Sequence, residues 1–130
     1  RQALNLAESL ARANSARLLI AHIYDPMKQN MVATTTIPVD MQDEQTVKLE
    51  QVRPLDPAVR FEHRLVEGNP SDGIVELAET EGVDLIVMGT HGHTGLMRLL
   101  MGSVAEEVVR KASCAVITLK QPDQNAAAET

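Results

Sequence analysis

Residues 84–120 read DLIVMGTHGHTGLMRLLMGSVAEEVVRKASCAVITLK and contain two short apolar runs, separated by a glycine-rich stretch and an amphipathic segment. The first run, residues 84–88, is almost wholly aliphatic, which is typical of a strand covered on both faces of a parallel sheet. The segment that begins at Gly102 has its apolar residues at helical spacing, and residues 115–119 predict a second strand. A strand, a helix and a strand in this order indicate an α/β fold with right-handed crossovers.

Upstream of this stretch, the apolar spacing continues the alternation of helices and strands. Asn69 followed by Pro70 is typical of a helix start, because the Asn side chain caps free amides and proline has the backbone angle of a first helical residue. Gly82 is typical of the end of that helix. Residues 59–66 alternate polar and apolar side chains, which predicts a sheet-edge strand with one polar face. The other predicted elements are helices over residues 1–14 and 41–52 and a doubly covered strand over residues 17–24.

Length, composition and charge limit the classes of function. The 130 residues include 12 Lys+Arg and 18 Asp+Glu, a net charge of −6, and 44% are hydrophobic. This suits one domain with a packed core, predicted over residues 1–120, followed by a polar and disordered tail over residues 121–130. An acidic chain with one Tyr, one Phe and no Trp lacks the clustered cations and stacking aromatics that nucleic-acid binding uses.

The sequence also predicts a cytoplasmic protein that does not associate with a membrane. No apolar run reaches the ~18 residues that a membrane span needs. Residues 1–14 lack the basic and then apolar layout of a signal peptide. The single cysteine, Cys114, cannot form an internal disulfide, which agrees with a reducing compartment.

The glycine-rich stretch predicts an anion site. Ligands of open α/β sheets bind at the carboxyl ends of the strands, and Gly89, Gly92 and Gly95 allow the backbone to approach a ligand closely. The first amides of the helix after Gly102 are free, the helix dipole favours an anion there, and Ser103 adds a hydroxyl donor. The stretch is neither a Walker A loop nor a dinucleotide G-x-G-x-x-G fingerprint. On these grounds alone, a phosphate cradle and a plain glycine-rich turn before a helix both remain open.

The histidines near this stretch form a poor metal site. His91 and His93 would need a third ligand, for which His63, His22 and the carboxylates are the candidates. We therefore interpret His91 and His93 as residues near a nucleotide rather than as metal ligands. His22 lies on an apolar strand and is interpreted as a core or pocket-edge residue. Arg98 either neutralises phosphate charge or is an exposed arginine.

The spacing of the glycines resembles a known nucleotide motif. Gly89-x-x-Gly92, nine further residues and then Gly102-Ser103 match the G-2x-G-9x-G-(S/T) motif of the universal stress protein family. Two further stretches are similar to that family: RQALNLAESLARANSARLLIAHIYDP, residues 1–26, and VEGNPSDGIVELAETEGVDLIVMG, residues 66–89. The resemblance implies a Rossmann-like, adenine nucleotide alpha hydrolase-like three-layer fold with strand order 3-2-1-4-5. It also implies binding of ATP, with or without Mg²⁺.

The resemblance implies a role for each matching residue. The loop residues Gly89, His91 and Gly92 would wrap the ribose and the phosphates. Backbone amides at the start of the helix, together with the Ser103 hydroxyl, would hold the phosphates, and Ile23 and Met88 would line the adenine pocket. The whole implied set is Ile23, Met88, Gly89, Thr90, His91, Gly92, Arg98, Gly102, Ser103 and Val104.

The sequence departs from the family pattern in two places. The family opens with a central strand and a loop whose Asp contacts the adenosine, and the 130 residues start after both. The slot for that strand lies between residues 17–24 and residues 84–88, so we expect either a fragment or another segment in the slot. The helix predicted over residues 41–52 is shorter than is usual in the family.

Three functions are compatible with the sequence. The leading hypothesis is a stress-response regulatory protein that binds an adenine nucleotide and has no catalytic residues, because no carboxylate adjoins the glycine-rich stretch as a base. A slow ATPase and a nucleotide-free dimeric adaptor are the alternatives. A homodimer is expected through Ala115–Leu119, because an apolar edge strand is a hazard unless another strand pairs with it.

Overall fold

The computed structural model describes residues 2–26, 41–90 and 102–120, which form four helices and four strands in alternation. The elements are α1 (Gln2–Asn14), β1 (Leu18–Tyr24), α2 (Met41–Glu50), β2 (Phe61–Glu67), α3 (Pro70–Glu81), β3 (Leu85–Gly89), α4 (Ser103–Lys111) and β4 (Ala115–Leu119). The α/β fold class is therefore confirmed. The helix predicted over residues 41–52 ends at Glu50, and the strand predicted over residues 59–66 begins two residues later and ends one residue later. The tail predicted over residues 121–130 lies outside the described residues.

The strands form two parallel pairs. β1 pairs with β2, with Leu18 opposite Phe61 at the first position, and β3 pairs with β4, with Leu85 opposite Ala115. Across the described ranges, neither β1 nor β3 has a strand on its other edge. In the family order 3-2-1-4-5, β1, β2, β3 and β4 of this structure correspond to strands 2, 3, 4 and 5, so both observed pairs are neighbours in that order. The full order stays a prediction because it requires a strand between β1 and β3.

The ends of α3 follow from local sequence, as predicted. The Asn69 side chain accepts a hydrogen bond from the Asp72 amide at 3.2 Å, and Pro70 is the first helical residue. Gly82 adopts a left-handed conformation, φ 65° and ψ 42°, and its N–H group contacts the carbonyls of Ala78 and Glu79. A residue with a Cβ would be strained at this angle, which explains the glycine.

Helix α3 packs against β1 and against α4, and α4 in turn packs on β4, so these two helices join the two strand pairs. Val108 of α4 has a fully buried side chain. At one end of α3 the buried Ser71 hydroxyl donates a short hydrogen bond to the Glu107 carboxylate. At the other end the Ser113 hydroxyl donates to Glu79 at 3.0 Å. Apolar packing and polar contacts together therefore hold the two halves of the protein to each other.

Strand β1 is less covered than its apolar sequence predicts. Ala21 and His22 are exposed, and only Ile23 and Tyr24 at its end are buried. The interpretation of His22 as a core residue is therefore wrong, whereas the alternative of a pocket-edge residue stays a prediction. The physical reason is that β1 has one strand neighbour among the described elements, whereas the prediction assumed a strand on each side.

The buried carboxylate of Glu8 was not expected, because helical spacing places Glu8 on the polar side of α1. It accepts hydrogen bonds from the amides of Leu55 at 3.1 Å and Asp56 at 2.6 Å, and 6% of the residue is exposed. Arg12, one turn later, pairs with the Asp56 carboxylate at 3.2 Å. Glu8 and Arg12 on the polar side of α1 therefore bind the turn that leads into β2, while Gln2, Asn5 and Ser9 are exposed.

The polar face predicted for β2 carries a cluster of ion pairs between partly exposed side chains. Arg64 contacts Glu62 at 2.7 Å and Glu81 at 3.1 Å, and Arg17 contacts the same two carboxylates at 3.3 and 3.8 Å. The hydrogen bond from Arg64, together with the positive charge of Arg17, lowers the pKa of Glu62 below its ordinary value. The ion pairs among these four side chains connect the residue before β1, the strand β2 and the end of α3 to one another.

We expect acid to destabilise the protein through these carboxylates. A carboxyl group whose pKa is lower in the folded than in the unfolded state stabilises the fold above its unfolded pKa, and this stabilisation is lost as the pH falls through the folded value. The urea midpoint should therefore fall between about pH 5 and pH 3. In Glu62→Gln this fall should be smaller, whereas Glu76→Gln, on the exposed face of α3, should behave as the wild type. If the urea midpoint of Glu62→Gln fell as much as that of the wild type, the Glu62 carboxylate would not be a source of the acid sensitivity.

Candidate functional site

The candidate site is built on the carboxyl end of β3. The Thr90 N–H group donates to the Leu119 carbonyl at 2.9 Å, so the β3–β4 ladder continues one residue beyond the strand. The Thr90 carbonyl accepts from the Gly102 N–H group at 2.7 Å. Thr90 is 6% exposed. This backbone clasp holds the end of β3 directly beside the start of α4, although residues 91–101 lie outside the described part.

Helix α4 begins with free donors at this clasp. Gly102 is the N-cap, with φ −61° and ψ 156°, and no side chain caps the helix. The first helical hydrogen bond runs from the Glu106 N–H group to the Gly102 carbonyl at 3.0 Å. Within the described ranges, the N–H groups of Ser103, Val104 and Ala105 consequently have no hydrogen-bond acceptor. Such a helix start carries partial positive charge and suits an anion.

Among the side chains at the helix start, Ser103 favours an anion, whereas the carboxylate of Glu106 opposes one, so the backbone amides are the main donors of this site. Ser103 is exposed, so its hydroxyl is accessible to a ligand. Glu106 is the one acidic residue in the first turn, and Arg110 and Lys111 lie in the last turn. Over the described residues, no group of three or more His, Cys, Asp or Glu could hold a metal ion. The chemistry that the described atoms at the start of α4 support is binding of an anion through amides.

The second part of the candidate site lies at the end of β1. Ile23 is 9% exposed, and it packs against Gly73 in the first turn of α3. A Cβ atom on Gly73 would lie 2.8 Å from Cγ2 and 2.9 Å from Cγ1 of Ile23. Gly73 is therefore the residue that lets α3 approach the end of β1 this closely. Sequence reasoning missed it, although a glycine inside a predicted helix is a signal of close packing.

The structure brings some of the predicted residues together and separates others. Met88, Gly89 and Thr90 end β3, and the clasp joins them to Gly102, Ser103 and Val104. Ile23 lies on the other strand pair. His91, Gly92 and Arg98, with His93 and Gly95, lie outside the described residues. The ligand roles of all ten residues stay predictions.

No helix in the described part of the chain has both the length and the apolar character needed to cross a bilayer.

Comparison with known proteins gives one consistent result. The model of the Universal stress protein family matches residues 1–120. The universal stress protein MJ0531 of Methanocaldococcus jannaschii is 52% identical over 64 residues, which are 49% of this chain and 38% of that protein. The aligned part of this chain thus spans well under half of that relative. The universal stress protein A homolog 1 of Coxiella burnetii is 32% identical over 126 residues, covering 91% of this chain and 85% of that protein.

Solved structures agree with the fold. The structure of the protein MJ0577 has a TM-score of 0.75 and 27% identity, with 94% of this chain and 88% of that chain covered. A universal stress protein in complex with cAMP has a TM-score of 0.59 and 28% identity, with 93% and 86% covered. The α/β architecture is therefore shared with proteins of known structure.

Proposed function

Since the chain belongs to the universal stress protein family, we propose that it is a stress-response regulatory protein that binds ATP at the carboxyl end of β3. The single observation that carries this proposal is the Thr90–Gly102 clasp. It holds three amides of α4 that have no acceptor among the described residues against the end of a parallel strand, where ligands of α/β sheets bind.

The choice of an adenine nucleotide is supported by sequence and by similarity. The motif residues Gly89, Gly92, Gly102 and Ser103 match the nucleotide motif of the family. A structure that is 28% identical was solved in complex with cAMP, which has an adenine base and a phosphate. In our proposal the phosphates bind the amides of α4, with Mg²⁺ where the nucleotide carries it, because a chain of net charge −6 supplies little positive charge.

In this proposal, the residues of the candidate site divide into three groups. Gly89, Thr90, His91 and Gly92 enclose the ribose and phosphates, and Arg98 neutralises phosphate charge. The start of α4 holds the phosphates through Gly102, Ser103 and Val104. The adenine base packs on Met88 and Ile23. Binding of this kind needs no general base, so the proposal is a regulatory site and not an ATPase.

A thermal shift panel tests the proposal. ATP, ADP, AMP and cAMP are each added to the purified protein, with GTP as the control for the base. We expect adenine nucleotides to raise the midpoint, because a ligand that binds the folded state stabilises it by mass action, and GTP to leave it nearly unchanged. Incubation with labelled ATP and Mg²⁺ separates binding from turnover. No shift with any nucleotide would favour the nucleotide-free adaptor.

We also propose that the protein forms a homodimer through β4. Within the part of the chain that the structure describes, β4 pairs with β3 and has no strand on its other edge, and the Thr90–Leu119 bond shows that alternate residues of β4 face β3. Val116 and Thr118 consequently direct their N–H groups to the other edge. A twofold partner pairing there would cover an apolar edge strand.

We expect light scattering to show a dimer at tens of micromolar protein. Thr118→Pro should yield a monomer with the fold retained, because proline is tolerated on an edge strand where its missing N–H group faces away from the ladder. Thr80→Ala, on the exposed face of α3, serves as the control and should remain a dimer. A monomeric wild type at this concentration would contradict the proposal.

A further inference from the structure

The outer edge of β2, which faces away from β1, presents backbone hydrogen-bonding groups. In the part of the chain that the structure describes, β2 pairs with β1 and has no strand on this outer edge. The Leu18 N–H group of β1 donates to the Arg60 carbonyl at 2.8 Å, so the even-numbered residues along β2 direct their backbone groups to β1. Strand alternation therefore directs the N–H and carbonyl groups of the odd-numbered residues to the outer edge; these are Phe61, His63 and Leu65.

The side chain of Arg64 lies at the middle of this outer edge. Its Nη1 atom donates a hydrogen bond to the His63 carbonyl at 3.0 Å. The two other nitrogens bond to carboxylates, since Nη2 donates to Glu62 at 2.7 Å and Nε donates to Glu81 at 3.1 Å. Hydrogen bonds between a guanidinium and a carboxylate are stronger than those between neutral groups. Three acceptors therefore hold the guanidinium beside the His63 carbonyl.

A strand that paired with the outer edge of β2 would need the position that Arg64 occupies. Paired strands lie ~4.8 Å apart, and a ladder on this edge would use the His63 carbonyl as an acceptor. Arg64 would have to leave that carbonyl before such a strand could bind. Charged side chains on edge strands are one of the ways in which proteins prevent unwanted pairing.

The outer edge of β4, which faces away from β3, has a different character. Ala115–Leu119 contains no charged residue, whereas β2 contains three. Over the described ranges, no side chain donates to the carbonyls of Val116 and Thr118, which face away from β3. The two outer edges therefore differ, because a fixed cation occupies the edge of β2 and no described side chain occupies the edge of β4.

The sequence of β2 is compatible with pairing to a second copy of itself. An antiparallel pair with its twofold axis at His63 would place Phe61 of one copy opposite Leu65 of the other. Cross-strand pairs of an aromatic and an aliphatic side chain stabilise sheets. A second copy of the chain is therefore the partner against which this edge needs protection.

We infer that Arg64 blocks the outer edge of β2 against pairing with a second copy of the chain, and thereby confines self-association to the edge of β4. Without Arg64, β2 becomes a second pairing edge, and copies joined at both edges form assemblies larger than a dimer. The statement about β4 rests on the homodimer proposed above, whereas the block at β2 does not.

The test compares the molar masses of two variants with that of the wild type by light scattering at tens of micromolar protein. Arg64→Thr removes the guanidinium and introduces a residue that suits a strand. Arg17→Thr is the matched control, because Arg17 contacts the same two carboxylates, at 3.3 and 3.8 Å, and has no described bond to the outer edge of β2. We expect Arg64→Thr to have at least twice the wild-type mass and Arg17→Thr to keep the wild-type mass.

Leu65→Pro identifies the edge through which Arg64→Thr associates. The Leu65 N–H group faces the outer edge, so proline there leaves the β1–β2 ladder intact but prevents pairing on the other side. The combined variant should return to the wild-type mass. Hydrogen exchange gives a second readout, because the Phe61 amide gains an acceptor when Arg64→Thr associates and should exchange at least about tenfold more slowly.

Arg64→Val is measured in parallel, so that the result does not depend on the stability of one variant, and circular dichroism verifies each fold. A folded Arg64→Thr or Arg64→Val variant with the wild-type mass would overturn the inference. A larger mass that persists after Leu65→Pro, or that also occurs in Arg17→Thr, would overturn it as well. A monomeric wild type would contradict only the homodimer, since Arg64→Thr should still exceed the wild-type mass.

Discussion

Replacing Gly102 with valine is expected to weaken ATP binding at least about 100-fold, equivalent to ~2.7 kcal/mol, while the protein remains folded. The backbone at Gly102, φ −61° and ψ 156°, is open to any L-residue, and its N–H bond to Thr90 needs no particular side chain. The branched side chain would occupy the space where a phosphate meets the amides of Ser103 and Val104. Valine is a poorer N-cap than glycine, so a loss of stability of up to about 1 kcal/mol is expected.

The control for the Gly102→Val measurement is a valine substitution at the other end of the same helix. Ala112, the C-cap of α4, has nearly the same backbone angles, φ −65° and ψ 142°, and Ala112→Val adds the same side-chain type there. Its ATP affinity should stay within about twofold of the wild type, a difference of roughly 0.4 kcal/mol. A folded Gly102→Val variant with unchanged ATP affinity would contradict the proposal that phosphates bind at the start of α4.

Gly73→Ala is expected to destabilise the protein by about 1–3 kcal/mol, the usual cost of overpacking a core. The new Cβ would meet Cγ2 and Cγ1 of Ile23 at 2.8 and 2.9 Å. Ile23 is 9% exposed and has little room to move, so this cost outweighs the gain of up to ~1 kcal/mol that alanine has over glycine in a helix. Urea unfolding of the variant measures the difference.

A double-mutant cycle tests whether the contact with Ile23 causes the destabilisation expected of Gly73→Ala. Ile23→Ala removes both Cγ atoms, so Gly73→Ala should cost less in that background than in the wild type. Ile23→Val keeps both atoms and should give no relief. Thr80→Ala, on the exposed side of α3, should be neutral or slightly stabilising. Strict additivity of Gly73→Ala and Ile23→Ala would mean that the contact does not set the packing of α3 on β1.

The elements that sequence reasoning predicted correctly are those determined by neighbouring residues. The start of α3 depends on Asn69 and Pro70, and its end on Gly82, all within a turn of the helix they bound. The apolar runs of β3 and β4 likewise predicted strands with nearly the observed bounds. The bounds of such an element can be predicted because the residues that determine them are neighbours in the sequence.

The features that sequence reasoning missed depend on residues far apart in the chain. Glu8 is buried because amides 47 and 48 positions later need an acceptor. Glu62 is drawn into ion pairs because Arg17 comes to lie beside it. His22 is exposed because strand coverage is a property of the whole sheet, which an apolar run alone does not reveal.

The candidate site likewise has features that could be predicted from the sequence and features that could not. The free amides of α4 could be predicted, because every helix start has them and Gly102 brings no capping side chain. The clasp between Thr90 and Gly102 could not, because it is a backbone bond that no side chain encodes. The role of Gly73 depends on Ile23, which is 50 positions away, so only the folded chain shows it.

Calorimetric titration of ATP into protein that has been stripped of nucleotide is the most direct test of the proposed nucleotide site. We expect saturable binding of one ATP for each chain. We also expect the same titration with GTP to give much less heat, because the family motif and the cAMP-bound neighbour both point to adenine. Absence of any binding heat from ATP, in protein whose fold is verified by circular dichroism, would contradict the proposal that the carboxyl end of β3 and the start of α4 form a nucleotide site.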